Sequence, residues 1–126
     1  MILVDTSVWV DHLRERNQPL SDLLDAGRVL SHPFVIGELA LGRISQRGLI
    51  LSALRDLPRT EVATSLEVLH FIEEQRLFGL GIGYVDVHLL AAVRLTPGAS
   101  LWTGDRRLHG VAGRLGLATT PSPSGQ

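Results

Sequence analysis

The 126-residue chain contains no cysteine. Disulfides, thiolate nucleophiles and thiolate metal sites are therefore excluded together, and any bound metal must sit on oxygen or imidazole. Lysine is missing as well: all twelve basic residues are arginine, which rules out every lysine-dependent chemistry. No apolar run approaches the ~20 residues of a membrane span. Only four apolar residues precede Asp5, with no basic leader, so the start does not read as a secretory signal. A cytoplasmic protein with no membrane partner is expected. A strong charge of either sign is also lacking, since the formal net charge is −1 and the pI is near 6.5. A nucleic-acid partner would have to be gripped by a local basic patch.

What is present is a 44% apolar content, enough for one modest core in one domain. "ILV" at 2–4 is too short for a helix and reads as a buried strand. "DTS" then caps a helix with Val8, Trp9 and Leu13 on its inner face. A helix over 19–26 is stopped by Gly27, "RVLS" at 28–31 forms a second strand, and Pro33 opens a helix over 33–42. Helical spacing recurs over 46–57 until Pro58. "TEVA" at 60–63 suggests a strand, and 65–79 an amphipathic helix closed by glycine. The segment 84–95 is apolar almost all round and should be a central helix. "SLWT" at 100–103 is a buried strand, "DRRLHGVAGRLG" a surface helix, and "LAT" at 117–119 an edge strand. Alternating strands and helices imply an α/β fold with a parallel sheet covered on both faces. The expected organisation is one domain over 1–119 and a disordered tail over 120–126, which ends in "PSPSGQ".

Four apolar runs each deliver an isolated acid: "ILVD" Asp5, "PFVIGEL" Glu38, "GYVDVHLLAA" Asp86 and "LWTGD" Asp105. In parallel α/β folds ligands bind beyond the carboxyl ends of the strands. Asp5 and Asp105 come after strands and face that edge, while Asp86 sits in the first turn of a helix, where the dipole tolerates an anion. Taken singly, Asp5 and Asp105 also read as helix caps, Asp86 as a dipole partner and Glu38 as a solvated residue. Taken together, acids set in apolar surroundings hold their charge comfortably only around a cation. Oxygen-only ligands select Mg²⁺ or Mn²⁺. Such an ion activates a water for phosphodiester hydrolysis and neutralises charge on the phosphate. Thr6, Ser7 and Thr103 are placed to orient a water or a phosphate oxygen, and serve equally well as caps and strand residues.

The set "VDTSVWVDHL", "VIGELALG", "LGIGYVDVHLLAAV" and "LWTGDRRL", in that order and at those separations, resembles the PIN-domain ribonucleases, in particular the VapC-type toxins of toxin–antitoxin pairs. The resemblance runs from residue 1 to about residue 118. It implies a PIN-like three-layer fold, a short parallel sheet flanked by helices. It implies that Asp5, Glu38, Asp86 and Asp105 bind the metal and that Thr103 is the hydroxyl preceding the last acid. It implies Mg²⁺ or Mn²⁺ dependence, endonucleolytic cleavage of tRNA or ribosomal RNA, a homodimer, and a cognate VapB-type antitoxin that blocks the acidic pocket. Many relatives carry a second acid two residues after the one matching Asp105. Here that position is Arg107.

Arg106 and Arg107 flank Asp105 and are the best-placed phosphate contacts, ahead of Arg43, Arg47, Arg55 and Arg59. Tyr84 and Trp9 read as packing residues, and His88 as structural. A phospho-receiver domain needs a lysine, and the chain has none. A haloacid-dehalogenase-type phosphatase needs an aspartate where Ser7 stands. "GLGIG" at 79–83 resembles a dinucleotide loop but comes after a helix instead of a strand. Two alternatives share the fold: a PIN nuclease in housekeeping RNA processing without an antitoxin, and a non-catalytic partner-binding module.

Overall fold

The computed structural model describes residues 1–121. Among them a three-stranded parallel sheet is built from β1 (Ile2–Val4), β2 (Val29–Leu30) and β3 (Ser100–Trp102), in the order β2-β1-β3. Leu3 pairs with Leu30 on one side and Leu101 on the other, and Val4 pairs with Trp102. All three residues of β1 are buried, as a central parallel strand covered on both faces requires. The strands are short because each ends where a helix must start.

The helices are α1 (Thr6–Arg14), α2 (Gln18–Asp25), α3 (Pro33–Leu41), α4 (Arg47–Arg55), α5 (Ser65–Gln75), α6 (Tyr84–Leu95) and α7 (Arg106–Arg114). Cap chemistry decides most of their starts. Asp5, Asn17, His32, Thr64 and Asp105 each accept a backbone N–H of the first turn. The expected central helix is α6: Val87 to Val93 are buried without interruption, and it packs on β3 and α5. The other layer is formed by α3 against α4 and α1.

Several boundaries differ from the sequence expectation. "TEVA" is not a strand: only Arg59 bridges to Ser31, after which the Glu61 N–H turns to the Thr96 hydroxyl at the end of α6. A side chain has taken the place of a ladder partner. The helix expected over 65–79 ends at Gln75 because Arg76 adopts a left-handed φ of 54° and starts the turn four residues early. "LAT" contributes a single parallel bridge, Ala118 to Leu101, instead of a strand. The helix expected over 46–57 spans Arg47–Arg55, bounded by left-handed Gln46 and by Asp56. Of the tail expected over 120–126, residues 122–126 lie outside the described residues. Among the described residues no helix is long and apolar enough to cross a membrane.

Candidate active site

The carboxyl ends of β1 and β3 lie side by side, and the turns that leave the two strands meet there. Asp5 is 6% exposed and is held from three directions. Its Oδ1 accepts the Thr6 N–H at 2.8 Å, and its Oδ2 accepts the Ser7 hydroxyl at 2.9 Å and the Thr103 hydroxyl at 2.7 Å. Thr103 Oγ1 in turn accepts the Asp105 N–H at 3.0 Å, and Ser7 Oγ accepts the Gly104 N–H at 3.0 Å. The turn Thr103–Asp105 is thus fastened to the first turn of α1, and Asp105 closes it by capping α7 through the Leu108 N–H at 3.0 Å. Buried hydroxyls satisfy a buried carboxylate here, as burial demands.

Thr6 extends the chain of bonds the other way. Its hydroxyl donates to Glu38 Oε1 at 2.7 Å, which ties α3 to α1. Glu38 is exposed, so the expectation that apolar surroundings strain its charge is corrected: solvent and the Thr6 hydroxyl support it. The strain falls on Asp86 instead. Asp86 stands in the first turn of α6, half-buried, and its Oδ2 accepts the Gly83 N–H at 2.9 Å. Burial pushes its carboxyl above the usual aspartate range against the opposing pull of that N–H, and the charges of Asp5, Asp105 and Glu38 push it further the same way. The four acids therefore share one electrostatic neighbourhood, although three come from the ends of elements and Glu38 from within α3.

Among the described residues no cationic side chain pairs with them. The one ion pair among the described residues is His70–Glu74 on α5. Also among the described residues, no three acidic or histidine side chains converge closely enough to ligate an ion together. As they stand, the acids would serve Mg²⁺ directly through only one or two carboxylates, the others reaching it through its waters. The donor set is oxygen throughout, and no guanidinium pairs with any of its carboxylates.

The structure separates the remaining expected residues by role. Ser7, Thr6 and Thr103 spend their hydroxyls on Asp5 and Glu38, so they orient the acids. Arg106 and Arg107 are exposed at the start of α7, beside Asp105. Arg107 also lies against Gly81: a Cβ built there would fall 2.5 Å from its Nη1, and Gly81 has a left-handed φ of 77°. The glycine loop 79–83 thus lets an arginine lie against the backbone that leads to Asp86. His88 is buried between Phe34 and Tyr84, with ring centroids 4.7 Å from each, and is structural as expected. Sequence reasoning missed His32, whose Nδ1 caps α3 by accepting the Phe34 N–H at 3.0 Å. Burial, then the neighbouring His88, lowers its pKa to about 4, so the cap is a neutral imidazole. The signal for it was the residue just before Pro33, where a helix cap belongs.

Residues 2–114 match the family model of the PIN domain. The chain is 48% identical over 118 residues, 94% of this chain and 95% of the relative, to "Ribonuclease VapC32" of Mycobacterium tuberculosis strain H37Rv. The same identity and coverage hold for the protein of that name from strain CDC 1551 / Oshkosh.

Proposed function

Because this chain belongs to the PIN-domain family, among the VapC-type ribonucleases, we propose that it is a metal-dependent endoribonuclease, the toxin of a toxin–antitoxin pair. The observation that carries the reading is the meeting of Asp5, Glu38, Asp86 and Asp105 at the carboxyl edge of the sheet with no basic side chain paired to them. Asp5, Asp86 and Asp105, with Glu38 at the rim, would hold Mg²⁺ or Mn²⁺. A bound ion of this kind lowers the pKa of a coordinated water and neutralises charge on the scissile phosphate.

The chain's own groups prepare that site. Three hydrogen bonds fix the Asp5 carboxylate before any ligand arrives. Thr103 sets the spacing between Asp5 and Asp105 by bonding both. Asp86 holds a proton more tightly than an ordinary aspartate and would give it up to a bound cation. Arg106 and Arg107, exposed beside Asp105, are the first phosphate contacts. The family likeness supports tRNA or ribosomal RNA as substrate, a VapB-type antitoxin as partner, a homodimer and a cytoplasmic setting.

The test is incubation of the purified protein, freed of any co-purifying partner, with total bacterial RNA in Mg²⁺, Mn²⁺ or chelator. Discrete cuts are expected with metal and not with chelator. Asp86→Asn should lower the rate by more than the roughly 10- to 100-fold typical of losing an outer-shell partner of a metal. Intact RNA in every lane together with no detectable metal binding would favour a non-catalytic partner-binding module.

A further inference from the structure

A groove of about 530 Å³ runs from Glu38 along the C-terminal halves of α1 and α3 to the loop 42–45. Val10, Leu13, Leu39 and Ile44 give it an apolar part, and Arg14 and Arg43 line it as well. Resting on the ribonuclease reading above, we propose that this groove holds the single-stranded RNA on one flank of the cut, with a base on the apolar part and its phosphates on Arg14 and Arg43.

Topology places the groove correctly for that role. The strand order β2-β1-β3 puts α3, which comes after β2, and α7, which comes after β3, on opposite sides of Asp5. Arg106 and Arg107 on α7 therefore lie on one flank of the acids, and the groove with its two arginines on the other. A strand laid across the acids meets basic side chains before and after them.

Charge points the same way. Neither Arg14 nor Arg43 pairs with a carboxylate, since the ion pair His70–Glu74 stands alone among the described residues, and Glu38 at the end of the groove is itself part of the metal-binding set. Two uncompensated guanidiniums in a groove with an apolar part suit a phosphate–base alternation, with Arg on phosphate and the base face on aliphatic carbon. The volume lies within the roughly 300–1,000 Å³ of small-ligand clefts, room for a base with its ribose. Two other grooves, one between α5 and α6 and one between α1, α2 and α4, lack this combination. The first sets a single arginine, Arg94, beside Glu67 and Glu74, the second has no arginine, and none of the four acids borders either.

The experiment uses the full chain as Asp86→Asn, which binds without cutting, and total RNA transcribed with 4-thiouridine. Ultraviolet crosslinking and then mass spectrometry are expected to map crosslinks to residues 10–14 and 42–45 as well as to α7. Adding Arg14→Ala with Arg43→Ala should weaken RNA binding about tenfold and reduce the slope of log affinity against log salt by about 1.4, two single-strand phosphate contacts. Arg14→Lys with Arg43→Lys should restore the slope, which a merely structural role of the pair would not do. Crosslinks confined to α7 with an unchanged salt slope would overturn the groove and leave the nuclease standing. Unchanged RNA binding alongside weakened antitoxin binding would give the groove to the antitoxin, and the proposal would fall. No crosslink anywhere and no cleavage by the unsubstituted protein would overturn the ribonuclease reading itself.

Discussion

The folded chain holds a proton on the Asp86 carboxyl more tightly than the unfolded chain does. That carboxyl is raised by burial first, then by the charges of Asp5, Asp105 and Glu38, while the Gly83 N–H pulls the other way. In the unfolded chain it ionises near the ordinary aspartate value. Between that value and the raised one the folded state binds more protons, so this group's contribution to stability falls as pH rises through the interval and stays lost above it. Asp86→Asn keeps an oxygen for the Gly83 N–H and never ionises. In chelator the difference in Tm between the variant and the original should therefore grow in the variant's favour from acid to neutral pH, as thermal melts across a pH series would show. Parallel curves would mean the crowding of acids costs nothing. The four acids were legible in the sequence because each sits alone in an apolar run. The hydroxyl bonds that organise them were not, because Thr103 reaches Asp5 across a chain separation of almost the whole domain, as the Gly104 N–H does to Ser7, and short-range patterns carry no such information.

Helices and strands meet in this protein at their tips, and Thr103 is where three of them are joined. It stands just after β3, donates to Asp5 ahead of α1 and accepts from Asp105 ahead of α7, while 6% exposed. Thr103→Val keeps the shape and removes both bonds, leaving a buried carboxylate oxygen and an N–H short of a partner. A loss of about 1–3 kcal/mol is expected, readable as a lower midpoint in urea, with cleavage reduced as well. Thr103→Ser should recover most of both, and a Val variant with full stability and activity would show the joint to be ornamental. At this scale the sequence was a good guide wherever a cap or a long apolar period spoke. β1, β3, α6 and the start of α7 fall within a residue or so of their expected places. It failed where a single bond decided the matter. The Thr96 hydroxyl draws the Glu61 N–H out of an expected strand, and left-handed Arg76, which is not glycine, ends α5 ahead of the glycine that had looked like its stop.

Across the whole molecule the charges of the acids work against one another. The net charge is only −1, yet four carboxylates are gathered at one edge of the sheet and no basic side chain pairs with them. Metal-free protein would bear that repulsion as lost stability, and a bound metal would turn it into linkage, because a ligand that binds only the folded state adds RT ln(1 + [L]/Kd). At a metal concentration about a hundredfold above Kd this amounts to about 2.7 kcal/mol, several degrees in Tm for a domain of this size. Asp86→Asn relieves the repulsion and at the same time weakens the site, so its effect should change sign. In chelator the variant melts higher than the original; in saturating Mg²⁺ or Mn²⁺ the original gains and the variant gains little, and the order reverses. Calorimetric melts of both proteins with and without metal test this directly. A variant that stays above the original in every buffer would mean that the acids never shared an ion, and that their gathering at the sheet edge serves only to cap helices.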